Sequence, residues 1–182
     1  LQAKGATLKA ARRQIQIVFQ DPFGSLNPRF RVGDILAEPF IIHDVAKGAE
    51  RRDRVEHLLK SVGLSPDDTR RYPHEFSGGQ RQGIAIARAM ALEPALIIAD
   101  EPVSALDVSI QSQILNLNMD MQSERGLAYL FISQDLSVVS EIADRVAVMN
   151  EGEIVETGPI ESVFAEPQHA YTRSLIEAVP SL

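Results

Sequence analysis

The run Ala95-Leu96-Ile97-Ile98-Ala99 carries no polar side chain and stops abruptly at Asp100-Glu101-Pro102. Five apolar residues are a strand's length, and a strand apolar on both sides must be covered on both sides. That calls for a parallel sheet whose crossovers are helices. The surrounding sequence supplies them. Ile110, Ile114, Leu117 and Met121 form a helical stripe that Asp107 caps and Gly126 ends. Leu127 to Ile132 reads as a second buried strand, Leu136 to Ala143 as a helix, and Arg145 to Met149 again as strand. Upstream, Ile15, Ile17 and Phe19 alternate along a strand that turns at Gln20-Asp21-Pro22. The chain is therefore expected to be α/β with a parallel sheet.

Between the first strand and Ala95 the pattern is helical. Val32 to Glu38 predicts a short helix stopped by Pro39. Ala49 to Val62 predicts a longer one, with Val55, Leu58, Leu59 and Val62 on one face and Gly63 as its cap. Arg51, Arg52, Asp53, Arg54 and Glu56 form its solvated face. Ser65-Pro66-Asp67-Asp68 starts another short turn. At the other end, Asn150-Glu151-Gly152 folds the chain into a strand from Glu153 to Glu156. A last helical segment opens at Gly158-Pro159, breaks at Pro167 and resumes from His169 to Ala178.

Composition narrows the function. The 182 residues are long enough for one sizeable core. A net charge of −7 leaves no basic footprint for nucleic acid. No apolar run reaches the roughly 20 residues a membrane span needs. The absence of cysteine excludes disulfides and thiolate metal sites. His43, His57, His74 and His169 are scattered without metal-ligand spacing.

Two stretches carry chemistry. Carboxylates at the C-terminal end of a parallel strand face the crevice where ligands bind. Asp100 is placed there to hold Mg²⁺, which takes few carboxylates plus phosphate oxygens. Glu101 points elsewhere and suits a general base for an attacking water. Two solvated acids in a surface turn would look the same in isolation. The second stretch is Ser77-Gly78-Gly79-Gln80, a loop feeding the Ile84 to Leu92 helix. Free N–H groups and the helix dipole at such an end suit an anion. Alone it reads equally as a serine cap with flexible glycines.

In order, the chain carries Val18-Phe19-Gln20-Asp21-Pro22, Ser25-Leu26-Asn27-Pro28-Arg29, Arg71-Tyr72-Pro73-His74-Glu75-Phe76 and Ser77-Gly78-Gly79-Gln80. These are followed by Leu96 to Pro102, Ser104-Ala105-Leu106-Asp107 and Pro167-Gln168-His169-Ala170-Tyr171-Thr172. This set resembles the ATP-binding subunit of ABC transporters, in the oligopeptide, dipeptide and glutathione importer branch, from about Arg13 to Pro180. The resemblance implies part of a P-loop NTPase core with Mg²⁺ and ATP as cofactors. It implies four segments: 1–22 ending in the Q-loop, 23–93 a helical subdomain, 94–150 the Walker B half of the core, and 151–182 a C-terminal extension.

By the same resemblance, Gln20 is the Q-loop glutamine, touching Mg²⁺ and the attacking water. Ser77, Gly78, Gly79 and Gln80 are the signature that binds the γ-phosphate of ATP held by a second ABC subunit, identical or not. Asp100 is the Walker B aspartate and Glu101 the catalytic base. Ser104, Ala105, Leu106 and Asp107 are the D-loop, crossing the dimer interface. The helical subdomain receives a membrane permease. Such a subunit works on the cytoplasmic face of the inner membrane and energises uptake of a peptide-like solute.

Three departures accompany the match. No Gly-x-x-x-x-Gly-Lys-Ser/Thr run is present, so the N-terminal part of the core is expected to be missing and the chain alone inactive. Uncovered sheet and apolar surface are then expected, in a chain that is marginally stable, dimeric or swapped. Gln134 stands where the family's switch histidine is expected, which predicts slower hydrolysis. Gly83 stands inside the signature helix where relatives usually carry arginine. A non-catalytic or regulatory ABC-type interaction module is the alternative. An ABC protein acting on DNA or ribosomes fits less well, given the acidic balance.

Overall fold

Register places the strand ends that matter side by side. In the computed structural model, which describes residues 4–179, helix α1 (Gly5–Gln14) leads into strand β1 (Ile15–Val18). Helices α2 (Pro22–Ser25), α3 (Val32–His43), α4 (Gly48–Ser61) and α5 (Gly78–Met90) follow, with 3-10 turns at Pro66–Arg70 and Pro73–Glu75. Then come β2 (Leu96–Asp100), α6 (Val108–Arg125) and β3 (Ala128–Ile132). The three strands form one parallel sheet in the order β1-β2-β3. Val18 pairs with Ala99 and Asp100 with Ile132, so all three strands end along one edge.

The two faces of this sheet differ. Val18, Ile97 and Ala99 are buried on one face, where α5 packs on β1. On the other, Ile15, Ile17, Leu130 and Ile132 remain 42% to 53% exposed. The strands expected from their apolar runs are present, but burial on both faces is not. Period two identifies the strand correctly while leaving open which side is covered.

The helical region differs from expectation at Pro39. It does not stop α3, which continues to His43 and ends at Asp44 in the left-handed region. A proline inside a helix costs about 3 kcal/mol. Against it, Val32, Ile35, Leu36 and Phe40 are all buried along α3, and each such side chain contributes about 1.5–3 kcal/mol. The turn beyond Pro39 persists because Phe40 has a core to enter. Val55, Leu58 and Leu59 of α4 complete that core, and Gly63 at φ +72° caps the chain as expected. Gly78 and Gly79 lie inside the first turn of α5, not in a loop before it.

A boundary at Ile132/Ser133 divides the chain into two compact units. In the second, α7 (Leu136–Ile142) is followed by β4 (Arg145–Asn150), β5 (Glu153–Pro159), α8 (Ile160–Ala165) and α9 (Ala170–Glu177). β4 pairs with β5 in an antiparallel hairpin and forms its own two-stranded sheet. Its two-residue turn has Glu151 and Gly152 at φ +49° and +85°, the primed geometry that matches strand twist. Glu156 of β5 accepts hydrogen bonds from the N–H groups of Gln168 and His169, at 2.8 and 3.0 Å. That gives Pro167 to Thr172 a structural role at the start of α9.

Candidate functional site

At the sheet edge, Gln20 and Glu101 meet. Gln20 follows β1 by two residues, Glu101 follows β2 directly, and the register brings them together. Gln20 Nε2 donates to Glu101 Oε2 at 2.8 Å and lies 3.5 Å from Ser104 Oγ. Glu101 adopts φ +44°, a left-handed conformation uncommon for a residue with a side chain. Its N–H donates to Ile132 O at 2.9 Å, which extends the β2–β3 ladder by one bond. Its carbonyl accepts from Ser104 N–H at 3.3 Å and Ser104 Oγ–H at 3.1 Å. Asp100, half-buried, closes β2 beside them.

The donor set suits a hard cation. With its nitrogen committed to Glu101, Gln20 keeps its amide oxygen for a ligand role, and Asp100 adds a carboxylate oxygen. Two oxygen donors and remaining positions for water and phosphate match the coordination habit of Mg²⁺. Among the described residues, no group of three or more His, Cys, Asp or Glu side chains could hold a metal by itself.

Ser77 caps α5. Its Oγ accepts from Gln80 N–H at 3.3 Å, and Gln80 Oε1 accepts from Ser77 N–H at 3.0 Å. This reciprocal box leaves Gly78 and Gly79 as the first helical residues, whose N–H groups precede the first intrahelical bonds. The glycines pack on the next segment of the site. A Cβ at Gly78 would meet Leu106 Cδ2 at 3.6 Å, and one at Gly79 would meet Ile110. Asp107 Oδ1 accepts from Ile110 N–H at 3.0 Å and starts α6. Gln111 Nε2 donates to the carbonyls of Val103 and Leu106, at 3.1 and 3.2 Å, closing the turn that holds Ala105 at the surface. A cleft of about 500 Å³ runs beside Ser77, Gly79 and Gln80, with Ile110 and Leu117 of α6 opposite.

A second groove, about 280 Å³, lies in the helical region. Phe40, Leu58 and Met90 line it together with Glu50, Asp53 and Glu93.

Gln134 belongs to the second unit and is exposed there. It sits in a short hydrogen-bonded turn. Ser133 Oγ accepts from Asp135 N–H at 3.0 Å, and Asp135 Oδ1 accepts from Ser137 N–H at 2.9 Å. The Ser137 hydroxyl holds the Asp135 carboxyl below its ordinary range. The structure thus joins Gln20 to Glu101 and Ser104, and joins Ser77 to Gly79 with the segment from Leu106 to Ile110. Two contributors escape a reading of the sequence: Ile110, whose side chain limits Gly79, and the hydroxyl of Ser104 as a partner of Glu101.

A parallel-sheet edge bearing glutamine, aspartate and glutamate, and a glycine-started helix packed on the following turn, are the features of an ABC-type fold. The ABC transporter family model matches residues 2–104, more than half of the chain, and the chain belongs to that family. The glutathione import ATP-binding protein GsiA of Pectobacterium atrosepticum is 58% identical over 179 residues, covering 98% of this chain and 29% of that protein. Its counterpart in Escherichia coli (strain K12) is 58% identical over 173 residues, covering 95% and 28%. The chain therefore spans less than a third of the length of these relatives. Among solved structures, CbiO1 from Clostridium perfringens, part of the ABC transporter complex CbiONQ, is similar with a TM-score of 0.79 and 30% identity. That match covers 97% of this chain and 68% of the other. The ATP-binding cassette MJ0796, in a dimeric post-hydrolysis state bound to ADP and Pi, is similar with a TM-score of 0.74 and 28% identity, covering 87% and 68%.

Proposed function

We propose that this chain is the signature and Walker B portion of an ATP-hydrolysing subunit that energises import of glutathione or a related peptide-like solute. The observation that carries this reading is the Gln20–Glu101 hydrogen bond at the ends of adjacent parallel strands. It brings a water-orienting amide to the carboxylate that can take the water's proton. As the water oxygen attacks the γ-phosphorus, Glu101 accepts the proton and the bond to the bridging oxygen breaks, releasing ADP. Asp100 and the Gln20 amide oxygen would hold Mg²⁺. When bound, Mg²⁺ neutralises charge on the phosphate oxygens.

The N–H groups of Gly78 and Gly79, with Ser77, serve ATP seated on a second subunit. MJ0796, dimeric with ADP and Pi, supports that arrangement. The phosphate cradle for the chain's own side comes from outside these residues. We place it against the exposed face formed by Ile15, Ile17, Leu130 and Ile132; about a third of the CbiO1 chain lies outside the match. The groove at Phe40, Leu58 and Met90, rimmed by Glu50, Asp53 and Glu93, is the proposed seat for a short helix of a membrane permease. Among the described residues, no helix is long and apolar enough to cross a membrane, and the subunit is proposed to act on the membrane's cytoplasmic face.

The test is ATP hydrolysis and glutathione uptake by the intact protein reconstituted with its permease. Glu101→Gln is expected to lower hydrolysis by about 10² or more while ATP still binds. Unchanged hydrolysis in that variant would remove Glu101, and this reading with it.

A further inference from the structure

Glu101 stands in a left-handed backbone conformation that a residue with a side chain rarely adopts. Such a conformation persists only where its surroundings over-determine it. Here they do. The N–H of Glu101 is tied to Ile132, and its carbonyl accepts twice from Ser104, from N–H and from Oγ–H. The conformation also has a consequence for direction. Side chains alternate along β2, with Ile97 and Ala99 on the buried face. Had the strand continued extended, the carboxylate of Glu101 would follow them into that face. The left-handed turn redirects it along the sheet edge, where Gln20 meets it at 2.8 Å.

Ser104 takes part on both sides of this contact. Its hydroxyl donates to Glu101 O at 3.1 Å, and its oxygen lies 3.5 Å from Gln20 Nε2. The Ser104 side chain is exposed, so burial alone does not account for its position. We propose that Ser104 is a positioning residue for hydrolysis: its hydroxyl holds Glu101 in the left-handed conformation and keeps its carboxylate in register with Gln20. This is a role within one chain, different from the interface-crossing role that the family resemblance implies for Ser104. It rests on Glu101 being the general base.

The experiment is steady-state ATP hydrolysis by the intact protein with its permease, comparing Ser104→Ala, Ser104→Thr, Glu101→Gln and the double variant Ser104→Ala/Glu101→Gln. A misplaced base loses rate without losing substrate. Ser104→Ala is expected to lower kcat about tenfold, with KM for ATP within about twofold of the parent. Ser104→Thr keeps the hydroxyl and is expected to return kcat to within about twofold. In the Glu101→Gln background, Ser104→Ala is expected to change nothing further, because residues acting through one another are non-additive. Thermal denaturation of each variant separates positioning from folding. Three results overturn the proposal: Ser104→Ala retaining more than about half of kcat, Ser104→Thr as slow as Ser104→Ala, or an undiminished Ser104→Ala effect in the Glu101→Gln background. A Glu101→Gln protein as fast as the parent sinks both this proposal and the reading beneath it. A slow Glu101→Gln beside an unaffected Ser104→Ala sinks this proposal alone.

Discussion

A Cβ added to Gly79 would run into Cγ2 of Ile110, well inside contact distance. The first turn of α5 and the first turn of α6 are thus in backbone-to-side-chain contact at Gly79 and Ile110. Side chains in that position would push the two helix starts apart.

Gly79→Ala is therefore expected to destabilise the intact protein by about 1–3 kcal/mol, the usual range for overpacking. The cause is one methyl group, so the remedy is specific. In an Ile110→Ala background the same change is expected to cost close to nothing. Chemical denaturation of the two single variants and the double variant measures this coupling. Equal penalties in both backgrounds would show that Ile110 is not the obstacle.

Gly83, one helical turn further along α5, has the opposite prospect. It is buried, yet a Cβ there meets Val62 Cβ only at 3.5 Å, an ordinary contact. Glycine within a helix costs about 1 kcal/mol relative to alanine. Gly83→Ala is expected to raise the melting temperature by about 2–4 °C with hydrolysis unchanged. Calorimetry decides it, and a lower melting temperature would show that the α4–α5 contact has no room.

The contrast between these two glycines shows where sequence reading stops. Ser77-Gly78-Gly79 marks a helix start from residue types alone, but only the approach of Ile110 tells Gly79 from Gly83. Local patterns were legible: the Asp107 cap and the turn at Glu151-Gly152 appear as read, and of the stripe Ile114 and Met121 are buried, while Ile110 and Leu117 are half-buried along the cleft. Features set by distant partners were not. Pro39 reads as a stop until Phe40 is seen to have a core. Ile15 and Ile17 alternate as in a half-buried strand, yet their side is the exposed one. Arg145 to Met149 reads as one more strand but, among the described residues, pairs only with its hairpin neighbour. The Gln20–Glu101 bond joins residues 81 positions apart, and no local pattern encodes it.

Glu156 gives the second unit a pH dependence. The Thr172 hydroxyl, then the N–H groups of Gln168 and His169, hold its carboxyl below the ordinary carboxylate range. A depressed folded value means that the charged form is favoured by folding. Its stabilisation is complete above the unfolded value, about 4.3, and is lost as pH falls through the lower folded value. The start of α9 is expected to loosen on acidification. The protection of the Gln168 and His169 amides against hydrogen exchange, relative to the intrinsic rate at each pH, is expected to fall in that window. Glu156→Gln is expected to show faster exchange already at neutral pH, with no further acid-induced loosening.

Gln134 carries the remaining prediction. It is exposed at the centre of the turn built by Ser133 and Asp135, where the family's switch histidine is expected. A glutamine amide can donate to a phosphate oxygen but cannot become positively charged. Histidine can, with an ordinary value near about 6.5. If charge at this position assists the γ-phosphate, Gln134→His is expected to raise kcat of the intact protein by about tenfold, a modest share of what a placed acid–base group contributes. The gain has a direction in pH. It is largest where the new imidazole is protonated, so the ratio of variant to parent kcat is expected to grow as pH falls from about 8 through about 6.5. Parallel pH profiles of the two proteins measure that ratio directly. A ratio that stays at one across the range removes Gln134 from the catalytic set and leaves the Gln20, Glu101 and Ser104 cluster to set the rate.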